Sequence, residues 1–206
     1  MSHHTTTTRR RTALLPAALA TGALLLVPAQ GIASTSFGAK LSPDVQPSNA
    51  SSAHPCTPTE GQPCTRISME GYGRPELPMA PRKGTIKKIK LIAGEAGSFR
   101  FQLAKVRPGS KQAKIVRNGP RISYQGQAYG EDGIDPDSYR VETFKLNVPV
   151  KKGEYLAIKS TSTSMLRCSS GGPNQLLFQP PLALGSPFRT ADDTDGCWLL
   201  LEAVIK

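Results

Sequence analysis

SFRFQLAKV, residues 98–106, is the stretch on which the reading of this chain turns. Phe99, Phe101 and Leu103 alternate there with Arg100, Gln102 and Ala104. A β-strand turns successive side chains to opposite faces, so this period of two sets three apolar groups on one side and the polar ones on the other.

The same grammar continues in both directions. TIKKIKLI (85–92) stops at AGEAG, RPGSKQ (107–112) is a turn, and AKIVRN (113–118) resumes. RISYQGQ (121–127) alternates Ile122 and Tyr124 with Ser123 and Gln125. YRVETFKLNVPV (139–150) sets Phe144, Leu146 and Val148 on one side, and KKGE turns the chain into YLAIKS (155–160). LLF (176–178) follows the Gly-rich CSSGGPN, inside a Gly/Pro-rich excursion read as a long loop (172–196). CWLLLEAVI (197–205) alternates Leu199, Leu201, Ala203 and Ile205 with Trp198, Leu200, Glu202 and Val204. About eight strands with turn signals between them, and no amphipathic helical stretch, predict an all-β chain, an antiparallel β-sandwich or jelly roll. The 18 Pro and 19 Gly agree with that reading. The sandwich domain is expected over 67–206, long enough for a two-faced core.

APRKGTIKKIKLIAGEAGSFRFQLAKVRPG (80–109) and LNVPVKKGEYLAIKS (146–160) carry a pattern of their own. A proline precedes a G-x-I first strand, a long second strand ends in R-P, and a V-P-V-x-x-G turn follows. In these features the chain resembles a group of uncharacterised secreted proteins from actinobacteria, over roughly 72–205. Glu154 and Tyr155 depart from the pattern, which usually has Asp and an aliphatic or Arg residue. The resemblance implies a β-sandwich and an extracellular setting, and it transfers no catalytic residue.

The N-terminus reads as an address. Arg9, Arg10 and Arg11 precede an apolar run (13–29) that Pro16, Thr21 and Gly22 interrupt. A bilayer core needs about 20 apolar residues, and a basic, then apolar, then small-residue order is that of a secretory signal. Cleavage after Ala33 leaves a more usual polar end than cleavage after Ala29, so the signal peptide is assigned to 1–33. Its removal takes away three Arg and no acid, which lowers the net charge from +11 to +8. It also removes His3 and His4 and leaves His54 as the one histidine. Residues 34–66 are dominated by Ser, Thr, Pro, Asn and Gly, with Phe37 the single aromatic. So little apolar surface does not offset the entropy of ordering, and the segment reads as a disordered linker or stalk.

Cys56, Cys64, Cys168 and Cys197 form an even set in a secreted chain, which favours two disulfides. Four thiols allow three connectivities. Proximity favours Cys56–Cys64 and Cys168–Cys197, the second tying the excursion back to the last strand.

Chemistry is narrowed by what is scarce. His54 is the one imidazole left to serve a Ser or Cys nucleophile or a zinc ion, and it sits in the linker. No phosphate-cradling glycine motif occurs. Paired carboxylates of a glycan-active enzyme would have to come from Glu131, Asp132, Asp135 and Asp137. EDGIDPD (131–137) and ADDTDGCW (191–198) hold seven of the fifteen acids. Asp135 with Asp137, and Asp193 with Asp195, are fragments of a calcium-ligand pattern. Asp, Gly and Pro are equally the substance of ordinary turns, so structural calcium is the secondary reading and no cofactor the primary one. Tyr124, Tyr129 and Tyr139 flank the first acidic loop, and with Asp132 and Asp135 they are the candidate ligand patch. Trp198, beside Cys197 on an apolar strand, is expected to be buried. Lys87 and Lys88, adjacent in a strand, are expected on opposite faces. The basic surplus suits a glycan or anionic envelope polymer, whereas the compartment and the lack of aromatic–basic interleaving argue against nucleic acid.

The reading is thus a secreted, non-catalytic binding or adhesion module for envelope or environmental glycans. A structural or assembly protein of the cell envelope is the alternative, and a carboxylate-based glycan-active enzyme the third. Mass spectrometry of exported protein is expected to show loss of the first 33 residues and of four hydrogens for two disulfides. Four alkylatable thiols would refute the pairing.

Overall fold

In the computed structural model, which describes residues 34–42, 44, 45, 47, 62–127, 139–162, 164–168 and 173–206, every regular element is a β-strand. One sheet has four strands, in the order β1 (Thr35–Gly38), β13 (Leu201–Ile205), β3 (Gly84–Leu91), β6 (Glu142–Val150). A second has seven: β10 (Arg189–Thr190), β5 (Gln112–Tyr124), β4 (Gly97–Val106), β7 (Tyr155–Ser160), β2 (Cys64–Ser68), β9 (Gln175–Phe178), β11 (Asp193–Asp195). β8 (Leu166–Cys168) and β12 (Cys197–Leu199) form a separate ribbon. All neighbouring strands run antiparallel.

The alternation in β4 builds the main core. Phe99, Phe101 and Leu103 are at most 1% exposed. They pack with Ile122 and Tyr124 of β5 and Leu156 and Ile158 of β7, against Phe37, Ile86, Ile89, Leu201 and Ile205 of the four-stranded sheet. Each such side chain contributes roughly 1.5–3 kcal/mol when buried. The inner face of one sheet therefore meets the inner face of the other, which is a sandwich.

The outer face of the seven-stranded sheet is not simply solvated, as the alternation alone would have it. Gln102 and Ala104 are buried as completely as their neighbours. Ala104, Ala113, Ile115 and Ala157 form a second cluster with Ile67, Leu176, Phe178 and Leu182. Leu182 belongs to the covering segment 179–188, whose Leu182 N–H donates to Thr65 Oγ1 at 3.0 Å. Besides β9, the strand expected at LLF, the excursion read as loop contributes β10 and β11 and a cover for half of the sheet, so the strands exceed the eight expected.

Two ends of the segment assigned to the linker are also structured. β1 pairs with β13, and Phe37 is fully buried. Cys64, Thr65 and Arg66 lie in β2, whose five residues are all buried. One Phe flanked by strand-compatible Thr and Ser is enough when a ready-made edge completes its burial. The central part of that linker, 48–61, and the signal segment 1–33 lie outside the described residues.

Bulges correct the strict period of two. In β3 the pairing with β6 shifts between Ile86 and Lys88, so Ile86 and Ile89 both face the core while Lys87 and Lys88 are both exposed. A bulge inserts one unpaired residue and resets which face follows. The runs read separately over 113–118 and 121–127 join in β5, which ends at Tyr124, through two register shifts against β4. One falls at Gly119–Pro120, where a Cβ on Gly119 would lie 2.6 Å from the Phe101 ring. A Pro at such a bulge loses no ladder hydrogen bond.

Cys168 and Cys197 face each other across β8 and β12 and form a disulfide. Cys64 is also disulfide-bonded, and its expected partner Cys56 lies outside the described residues. Between these staples sits a buried ion pair. Arg66 Nη1 donates to Asp195 Oδ2 at 2.9 Å and to Gln175 Oε1 at 3.2 Å, with both charged side chains at most 1% exposed. Asp195 Oδ1 accepts the Cys197 N–H at 3.0 Å. Burial pushes the Arg66 guanidinium toward a lower pKa, and Asp195 pulls it back.

Asp195→Asn is expected to lower stability by about 3–5 kcal/mol in urea denaturation, because Arg66 keeps a buried charge without its counterion. Arg66→Met combined with Asp195→Leu should recover most of the loss. Gly119→Ala should cost about 1–3 kcal/mol through overpacking against Phe101; a neutral result would put the bulge elsewhere.

Candidate anion-binding site

A register constraint sets the site. Arg100 of β4 is paired directly with Arg121 of β5 on one side and with Lys159 of β7 on the other. The three alternate with the core residues Phe99, Ile122 and Ile158, so they share the outer face beyond the covered half, and all three are exposed. Neighbouring strands lie about 4.8 Å apart, which makes an unbroken row of three positive charges across three strands. Like charges directly opposite one another destabilise a sheet.

The row lines a hollow of about 390 Å³ with Ser98, Ser160 and Thr161. Among the described residues no carboxylate lines it. Two guanidinium groups are held in place by neutral acceptors. Arg121 donates through Nε and Nη2 to Ser98 Oγ, at 3.3 and 2.8 Å, and Arg100 Nη1 donates to the Gly119 carbonyl at 3.2 Å. Ser160 Oγ in turn donates to the Ser98 carbonyl at 3.2 Å. The bonds fix direction without neutralising charge, leaving donors to be spent on an anion.

A second concavity on the same outer face is apolar. Met69, Val106, Pro108, Tyr155, Leu176 and the exposed Met79 line two adjoining hollows of about 390 and 380 Å³ beside the 107–111 turn. Burial pushes the Tyr155 hydroxyl to a higher pKa. Near it, Phe188 is flanked by two cations, Arg107 Cζ and Lys114 Nζ, each 4.8 Å from its ring centroid.

The ligand patch expected at the acidic loop does not assemble from the residues in view. Tyr124 is core, 6.0 Å from the Phe99 ring, with its hydroxyl 3.0 Å from Ser162 Oγ and Ser164 Oγ. Tyr139 is buried in a small cluster with Val45, Ile92 and Leu200. Strand alternation carries the Tyr124 ring inward, and packing in that cluster buries Tyr139. Tyr129, Glu131, Asp132, Asp135 and Asp137 lie outside the described residues. Asp195, expected as a calcium ligand, is instead committed to Arg66, while Asp193 is exposed and accepts the N–H of Thr194 at 2.7 Å. Among the described residues no group of three or more His, Cys, Asp or Glu is placed to hold a metal ion. Trp198 is half-buried, edge-on to Tyr72 at 5.6 Å, with Arg167 5.2 Å from that tyrosine ring.

No family model, curated protein or solved structure matches the chain. Among the described residues no helix is long and apolar enough to cross a membrane.

With Asp195 held by Arg66, melting midpoints in calcium and in chelator are expected to coincide. A shift of several degrees would restore a metal site to the acidic loops.

Proposed function

We propose that this is a secreted, non-catalytic binding module for anionic glycans of the cell envelope or its surroundings. The observation that carries the reading is the row Arg121–Arg100–Lys159, three neighbouring cations on one sheet face with no acid among the described residues that line their hollow. Charge repulsion of this kind costs stability in the free protein, and a bound polyanion turns the same groups into attraction. The net charge of +8 that remains once the signal segment is removed agrees with an anionic partner. The disulfide between Cys168 and Cys197 fits an oxidising compartment, and the resemblance to secreted actinobacterial β-sandwich proteins points the same way.

The apolar hollows around Met69 and Met79 support a second reading, assembly with another envelope component. Light scattering separates the two, since an assembly subunit gains mass with concentration in the absence of polymer.

Binding to an anionic polysaccharide is expected to survive about 0.15 M salt, where diffuse surface attraction is largely screened. Arg100→Gln with Lys159→Gln should weaken it roughly tenfold or more, the loss of one or two charge-assisted bonds. The same double variant should melt no lower than the parent, because it relieves cross-strand repulsion. Undiminished binding in the variant would sink the assignment.

A further inference from the structure

From this same site we infer a narrower ligand class: a tetrahedral oxyanion ester, sulfate or phosphate, borne on a sugar unit of the polymer. The inference rests on the anionic-glycan reading above and adds the identity of the charged group. Three features of the hollow carry it.

The first is convergence from three strands. Arg121, Arg100 and Lys159 approach one hollow from β5, β4 and β7. A carboxylate offers two oxygens in one plane, and a single fork-shaped guanidinium satisfies both. A sulfate or phosphate ester projects three terminal oxygens in three directions, so it gives each of the three cations an acceptor of its own. The second is the anchoring of the guanidinium groups. Ser98 holds the Nε edge of Arg121, and the Gly119 carbonyl holds Nη1 of Arg100. Each planar fork is therefore oriented before the ligand arrives, which limits the entropy lost on binding. Neither anchor is an acid, and no other described residue around the hollow neutralises the pair. The third is the size and lining of the hollow. About 390 Å³ lies within the range of small-ligand sites and holds a sugar ring with its ester, and Ser98 and Thr161 supply polar rim groups for ring hydroxyls.

Dextrans of one length, carrying sulfate, phosphate or carboxymethyl groups at equal charge density, isolate the charged group from the backbone. Titration of the full chain against each, and against neutral dextran, at a fixed ionic strength of about 0.15 M gives the comparison. Sulfated or phosphorylated dextran is expected to bind about tenfold tighter than carboxymethyl dextran or better. Whichever of the two is tighter names the source of the ester. Arg100→Gln with Arg121→Gln should erase that margin, and Arg100→Lys should reduce it while keeping the charge. Lys87→Gln with Lys88→Gln, on the other sheet, should leave the margin intact, and melting curves establish that each variant is folded. Equal affinity for the three charged dextrans, or a margin that persists in the Arg100→Gln, Arg121→Gln variant, overturns the ester assignment while leaving a binder of anionic glycans. Failure of every charged dextran to bind removes both readings together.

Discussion

A guanidinium removed from water is tolerable only where something negative replaces its hydration, and Arg66 is buried in the middle of β2. Asp195 is what replaces it, reaching across β9 from the edge strand β11. That demand organises much of the seven-stranded sheet. β2 and β11 are not neighbours, so the pair can close only when β9 lies between them in register, with Gln175 opposite Asp195. Asp195 also accepts the Cys197 N–H, which links the pair to the disulfide ribbon of β8 and β12. Charge, strand order and staple therefore specify one another. Apolar residues at these positions could give equal stability, but they would not enforce this order of strands.

The sandwich itself was legible because burial of alternate side chains is a local pattern. The alternation of Phe99, Phe101 and Leu103 names a face without reference to any partner, and that face is the core. The Cys168–Cys197 pairing was legible through the even cysteine count and proximity. What escaped were features decided by a distant partner. Bulges at Ile86–Lys88 and Gly119–Pro120 leave no mark within their own strands beyond a Gly, a Pro or an off-phase Ile. The strands β10 and β11 are only two and three residues long, and pairing with β5 and β9 holds them. β1 and the start of β2 were missed in the same way, because their composition is that of a linker and their order comes from the sheet they complete.

The candidate site illustrates the same limit. Arg100 stands in plain view in the decisive stretch, read only as the polar half of an alternation. Its meaning depends on which residues lie opposite, and nothing between Arg100, Arg121 and Lys159 in the chain announces that they share a row. Tyr124 shows the converse. Sequence proximity suggested a common surface, while the phase of β5 sent Tyr124 inward to Phe99.

The covered half of the outer face has an unobvious implication for how the protein tolerates change. Ala104, Ala113 and Ala157 lie beneath the segment that carries Leu182, and their methyl groups set how near that segment can come. Interiors packed to crystal-like density do not absorb an added isopropyl group without displacement. Enlarging one of these alanines would lift the overlying chain and wet the Thr65–Leu182 hydrogen bond beneath it. Met69 and Met79, bordering open hollows, have room to vary. On this surface the buried alanines are as little substitutable as the large residues packed with them, and drift in sequence should concentrate on the methionines that edge the hollows.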